Sequence, residues 1–121
     1  MMSTNFYTYL MFDEDAEEAM LYYTGLFKNA CVIDDLRYRE GEHQGKLLKG
    51  VFCLGDKQFI CMDSPVRHDF TFTPAMSIFV EFDDSSEIDQ AFTALATDGK
   101  VLMPLESYGF SKQFAWLTDR W

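Results

Sequence analysis

The chain has 121 residues, 48% of them hydrophobic and 17% aromatic, which is enough for one packed core and too apolar for a disordered segment. A formal net charge of −10, with no run of Lys and Arg, argues against a nucleic-acid partner and against an anionic membrane surface. No apolar run reaches the eighteen or so residues of a membrane-crossing helix, and the opening MMSTNFYTYLMFDEDAEE lacks the basic region of a signal peptide.

The first element in chain order is a strand over Asn5–Met11, rich in aromatic and β-branched residues. Asp13–Asp15 make a turn, and Asp15 with Glu18 has the spacing of a capping box, which predicts that Asp15 caps the helix that follows. Ala16, Ala19, Met20, Tyr23, Leu26 and Phe27 recur at helical spacing and form its apolar face. Glu14, Glu17 and Glu18 suit the positive end of the helix dipole, a structural role. A second strand is expected over Ala30–Tyr38, followed by a polar loop over Arg39–Lys46. Leu47–Leu54 and Lys57–Asp63 flank Gly55-Asp56, a tight-hairpin signal.

SPVRHDFTFTP, residues 64–74, carries two of the three prolines and reads as a connection. The pattern then restarts. Met76–Phe82 reads as a strand and Asp84–Asp98 as a helix, with Ile88, Ala91, Phe92 and Leu95 on its apolar face and Gly99 as its stop. Val101–Leu105 and Gln113–Thr118 read as two further strands. FDEDAEEAMLYYTGLF at 12–27 and FDDSSEIDQAFTALAT at 82–97 align without a gap, pairing Phe12 with Phe82, Asp13 with Asp83, Glu17 with Glu87 and Tyr22 with Phe92. The expectation is a single α+β domain of two βαβββ modules, about 5–63 and 75–121, joined by 64–74, the second lacking its last strand.

YLMFDEDAEEAMLYYTGLF, FTFTPAMSIFV and VLMPLESYGFSKQFAWLTDR, in colinear order over nearly the whole chain, resemble the PhnB-like proteins of the vicinal oxygen chelate superfamily, which includes glyoxalase and bleomycin-resistance proteins. The resemblance implies paired βαβββ modules whose sheets curl around a substrate, and a homodimer. PhnB-like proteins often carry a 3-demethylubiquinone-9 3-methyltransferase label. No two glycines here are spaced as GxG, so the sequence offers no nucleotide-type glycine loop, and no cofactor is expected.

The resemblance also implies where metal ligands would fall: on the first and last strands of each module, as His, Gln or Glu. Strand parity turns Thr8, Leu10 and Phe12 toward the helix and Tyr7, Tyr9 and Met11 toward the cavity, and the repeat matches Tyr7 with Ser77. Phe79 and Glu81 share the face of Ser77, while Ile78, Val80 and Phe82 pack on the second helix. Tyr7 and Ser77 are poor first-choice ligands, Asp63 alone remains at the end of the first module, and the fourth position falls on the missing strand. No metal site is expected. His43, in a polar loop, and His68, in the connection, read as solvated.

Candidate pocket residues are Tyr7, Tyr9, Asp63, Ser77 and Tyr108, with Phe79, Phe110 and Trp116 as walls, a few polar groups on an apolar lining. Phe114 shares the parity of Trp116, and 107–113 is a glycine-bearing connection suited to a flap. Glu81, if enclosed among aromatics, would serve as a general base. Two function classes follow: a metal-independent small-molecule binding protein, or an enzyme acting on a small carbonyl or aromatic substrate, glyoxalase-like, dioxygenase-like or the methyltransferase of the label. A structural dimer without ligand is the third. Cys31, Cys53 and Cys61, an odd number with no CxxC, suit reduced, mostly buried thiols and a cytoplasmic location.

Overall fold

β1 (Thr8–Phe12), α1 (Ala16–Leu26), β2 (Ala30–Arg37), β3 (Leu47–Leu54) and β4 (Lys57–Asp63) make the first of two units in a computed structural model that describes residues 3–110 and 112–121. The first unit ends at Thr71, and the second spans Phe72–Trp121. Met1, Met2 and Ser111 lie outside the described residues, so the expectations for the leader and for the 107–113 flap are not carried to them.

In the first unit the sheet order is β1-β4-β3-β2, with β1 parallel to β4 and the other pairs antiparallel. Alternation along each strand decides which face α1 covers. Phe12 pairs with Asp63, Leu10 with Cys61, Cys61 with Gly50, and Phe59 with Phe52, so these residues share one face. Ala16, Ala19 and Met20 of α1 are buried, as are Phe12, Phe52, Phe59 and Cys61. Each fully buried large side chain in such a layer contributes about 1.5–3 kcal/mol relative to exposure. Phe52 stacks on Phe59 with ring centroids 5.2 Å apart. Gly50 permits the close approach: a Cβ there would lie 3.0 Å from the Cys61 sulfur and 3.1 Å from the Met20 sulfur. Gly55, with φ of 64°, turns the β3–β4 hairpin between Leu54 and Lys57.

Asp15 stands at the N-cap of α1 but makes no side-chain cap. The capping-box expectation therefore gives way to a distant residue. The Asp63 carboxylate accepts the N–H of Ala16 at 2.9 Å with one oxygen and the N–H of Leu47 at 3.0 Å with the other. A buried carboxylate holding two backbone donors replaces the local cap.

The second unit contains α2 (Ser85–Ala96), β5 (Lys100–Glu106) and β6 (Phe114–Thr118), the strands forming an antiparallel pair. Asp84 caps α2, accepting the N–H of Ser86 at 2.9 Å. Pro104 has no N–H to give the ladder, and the register shifts between Met103 and Glu106. The residue in the left-handed region after α2 is Asp98, at φ of 59°. Gly99 serves a different purpose from the stop expected of it: a Cβ there would lie 2.2 Å from the carbonyl oxygen of Thr118.

The segment 76–82, expected as a strand, is irregular. Its counterpart β1 is held by the parallel strand β4. Strand-forming composition alone does not make a ladder, and 76–82 follows an irregular path. Ile78 and Val80, expected to pack on α2, remain half exposed. The architecture is thus α+β: the described residues form two helices and six strands in two sheets, with one complete βαβββ order in the first unit.

Candidate functional site

Phe114, at the start of β6, is the centre of an aromatic cluster in the second unit. Its ring lies 4.9 Å from Phe110 and 5.9 Å from Tyr108, both edge-on, and 6.3 Å from Phe79. Tyr108 and Phe110 stack on one another at 6.2 Å. These separations suit favourable quadrupole contacts between rings. One turn of strand pleat further along β6, the Trp116 indole N–H donates to the Ser77 hydroxyl at 3.2 Å. The irregular 76–82 segment and the connection after β5 are thereby both brought to β6. Phe79 is 75% exposed and Phe110 is 69% exposed, so the cluster is an open apolar surface with hydroxyl groups among its rings.

The hydroxyl of Tyr108 donates to the carbonyl of Pro104 at 2.6 Å. Loss of solvation, and then the charge of Glu106, push its pKa above the ordinary tyrosine value. Its proton is thus held against the Pro104 carbonyl. Glu81 is exposed to solvent. A shallow depression of about 370 Å³ on α2, lined by Asp89, Gln90, Thr93 and Ala94, includes none of the cluster residues.

The remaining candidates belong to the first unit. Tyr9 is 60% exposed, on the sheet face away from α1, where its ladder partner is Ile60. Tyr7, just before β1, is also exposed. Asp63 is on the opposite face from Tyr9, is only 1% exposed, and gives both carboxylate oxygens to backbone donors. Both oxygens of Asp63, expected as a pocket residue, are engaged by the backbone of the first unit. Tyr38 adds to it by donating to the Asp63 carbonyl at 2.9 Å, and burial raises the Tyr38 pKa.

Neither histidine is simply solvated, as had been expected. His43 Nε2 lies 3.1 Å from the Pro65 carbonyl. His68 stacks on Phe70 at 4.9 Å and lies 3.2 Å from the Ser64 hydroxyl. Sequence reasoning did not mark Ser64, because a Ser-Pro pair reads only as a turn. The buried Ser64 hydroxyl gives its one proton to the Val66 carbonyl at 2.6 Å and accepts the Val66 N–H. His68 then faces a lone pair and donates, the reverse of what a general base beside a nucleophilic serine requires.

Among the described residues no three His, Cys, Asp or Glu side chains converge as a metal site, and no helix is long and apolar enough to cross a membrane. Arg37 joins Glu17 and Asp35 in an ion-pair network, which lowers the Glu17 pKa. It ties β2 to α1, and it is exposed enough to matter little for stability.

Residues 4–121 match the model of a family described as 3-demethylubiquinone-9 3-methyltransferase. A solved PhnB protein from Bacillus cereus is 46% identical, with a TM-score of 0.93 over 97% of this chain and 92% of that one. Protein PA1353 from Pseudomonas aeruginosa is 22% identical, with a TM-score of 0.75 over 98% of this chain and 91% of that one, a likeness of fold. A search of the curated proteins finds no match.

Proposed function

The chain belongs to the 3-demethylubiquinone-9 3-methyltransferase family of PhnB-like proteins, and from that premise we propose that it is a small-molecule binding protein whose ligand stacks on the Phe114 cluster. The observation that carries this is the exposure of Phe79 and Phe110 around the Phe114 ring. Apolar rings left in water gain free energy when a flat apolar molecule covers them. Ser77 already accepts from Trp116 and keeps its own hydroxyl proton for a ligand carbonyl. The net charge of −10 favours a neutral ligand over an anionic one. A neutral aromatic ketone combines these features.

The proposal extends to a metal-independent, cytoplasmic homodimer of the vicinal oxygen chelate superfamily. The βαβββ order of the first unit supports the superfamily, and three free cysteines suit a reducing compartment. Exposed Phe72, Met76 and Ile78 offer a second copy an apolar surface to cover. A general-base role for Glu81 needs enclosure among apolar walls, and its exposure lends that role no support.

The family's description names methyl transfer. A nucleotide-type methyl donor rests on a glycine turn between a parallel strand and a helix. Here the turn between β1 and α1 is Asp13, Glu14 and Asp15, and no glycines are spaced as GxG. The residues present do not fit such a donor, and no step is drawn through one.

The test is a thermal-shift series with acetophenone, catechol and the divalent ions Zn²⁺, Ni²⁺, Mn²⁺ and Mg²⁺. Ligands of the folded state raise Tm by mass action. The proposal predicts a rise with the aromatic compounds that is absent in Phe114→Ala. A rise confined to one metal ion contradicts it.

A further inference from the structure

Cys31 of β2 and Cys53 of β3 are direct ladder partners in antiparallel strands, and their sulfurs lie 3.2 Å apart. Cys31 is exposed and Cys53 is partly so. The third thiol, Cys61, is fully buried on the face beneath α1, 3.8 Å from the Met20 sulfur. We propose that Cys31 and Cys53 form a reversible thiol oxidation site, closing to an internal disulfide on exchange with a low-molecular-weight disulfide, while Cys61 stays reduced.

The geometry carries the proposal. Ladder partners in antiparallel strands have Cα atoms roughly 4.5–5.5 Å apart, inside the range a disulfide spans. The strands need not move, because side-chain rotation supplies the remaining approach of about 1 Å. β2 is an edge strand with a register shift just after Val32, so the backbone beside the pair has room to adjust. The hydrogen bond between the two thiols, followed by loss of solvation, raises the Cys31 pKa. The hydrogen-bonded Cys31 thiol therefore keeps its proton at neutral pH, and the exchange quickens as pH rises.

The step balances as follows. The Cys31 thiolate attacks one sulfur of oxidised glutathione, forming a mixed disulfide and expelling one glutathione thiolate. The Cys53 thiolate then attacks the Cys31 sulfur and expels the second glutathione. Two electrons pass from the protein thiols to the glutathione disulfide, and the two thiol protons end on the two glutathione molecules. The product pins edge strand β2 to β3 on the sheet face that carries Tyr9.

The experiment uses the whole chain, reduced and then equilibrated with oxidised and reduced glutathione in varied ratio at pH 8. Remaining thiols are alkylated after denaturation and counted by intact mass. The expected result is a fall from three alkylated cysteines to one, with the surviving label on Cys61 by peptide mapping, full reversal by dithiothreitol, and a monomeric band without reductant. Cys53→Ser is expected to stop at a glutathione adduct on Cys31. Three labels under oxidising ratios, a lasting glutathione adduct on the wild-type chain, or a disulfide between two chains each overturn the proposal.

Discussion

The Asp63 carboxylate accepts the Ala16 N–H at 2.9 Å across 47 residues of sequence, and so joins the end of β4 to the start of α1. Its second oxygen holds the N–H of Leu47 at the start of β3. Asp63→Asn keeps the shape but turns an amide N–H₂ toward one of these donors. The expected loss is about 2–4 kcal/mol, because a buried donor is left unsatisfied. Asp15→Ala, by contrast, should change stability by less than about 0.5 kcal/mol. Urea unfolding of both variants checks the contrast, and equal losses would mean that Asp15 shares the capping.

Gly99→Ala tests the second unit. The added Cβ meets the Thr118 carbonyl oxygen at 2.2 Å, a backbone atom that cannot swing away. A loss of about 1–3 kcal/mol is expected, with faster amide exchange in β5 and β6. Unchanged exchange there would show that the strand end relaxes freely.

These two residues show what the sequence conveys and what it hides. Local signals served well where the cause is local. The Gly55-Asp56 turn sets β3 and β4, the apolar spacing of Ala16, Ala19 and Met20 sets the buried face of α1, and alternation puts Phe12 and Tyr9 on opposite faces of β1. The cap on α1 comes from a residue 47 positions away, and no spacing rule reaches that far. The 76–82 segment has strand-forming composition but is irregular, because strand propensity depends on packing against neighbouring strands more than on composition. In the candidate site, parity linked Phe114 with Trp116. The central place of Phe114 depends on where Tyr108 and Phe110 set their rings, which composition does not specify.

Alkaline stability should report on Cys61. Burial, and then the charge of Asp63, push its thiol from 9.0 up to about 11. Between those values the folded chain keeps the proton and the unfolded chain releases it, so stability falls as pH rises through the window. Below pH 9 both states are protonated and the full contribution is present. Discounted for solvent screening, the fall is on the order of 1–2 kcal/mol. Cys61→Ala is expected to be less stable at pH 8 but to lose less between pH 9 and 11. Urea midpoints at pH 8, 9 and 11 decide it, and parallel losses would remove Cys61 as the cause.

Removing the Ser77 hydroxyl should barely change stability, since the Trp116 indole N–H is 3.2 Å from it at a partly exposed position where water replaces the partner. Ser77→Ala is therefore expected within about 0.5 kcal/mol of the parent while binding acetophenone several-fold more weakly. Isothermal titration checks the second half. Unchanged affinity would mean that the ligand carbonyl does not use Ser77.

The central claim is that a small aromatic ligand stacks on the Phe114 cluster, and Trp116 is a built-in reporter of it. The measurement is the indole N–H resonance of Trp116 in a ¹⁵N correlation spectrum, assigned by its loss in Trp116→Phe and followed during titration with acetophenone. The account predicts a saturable shift of that resonance which disappears in Phe114→Ala. A resonance that does not move, or that moves equally in Phe114→Ala, contradicts it.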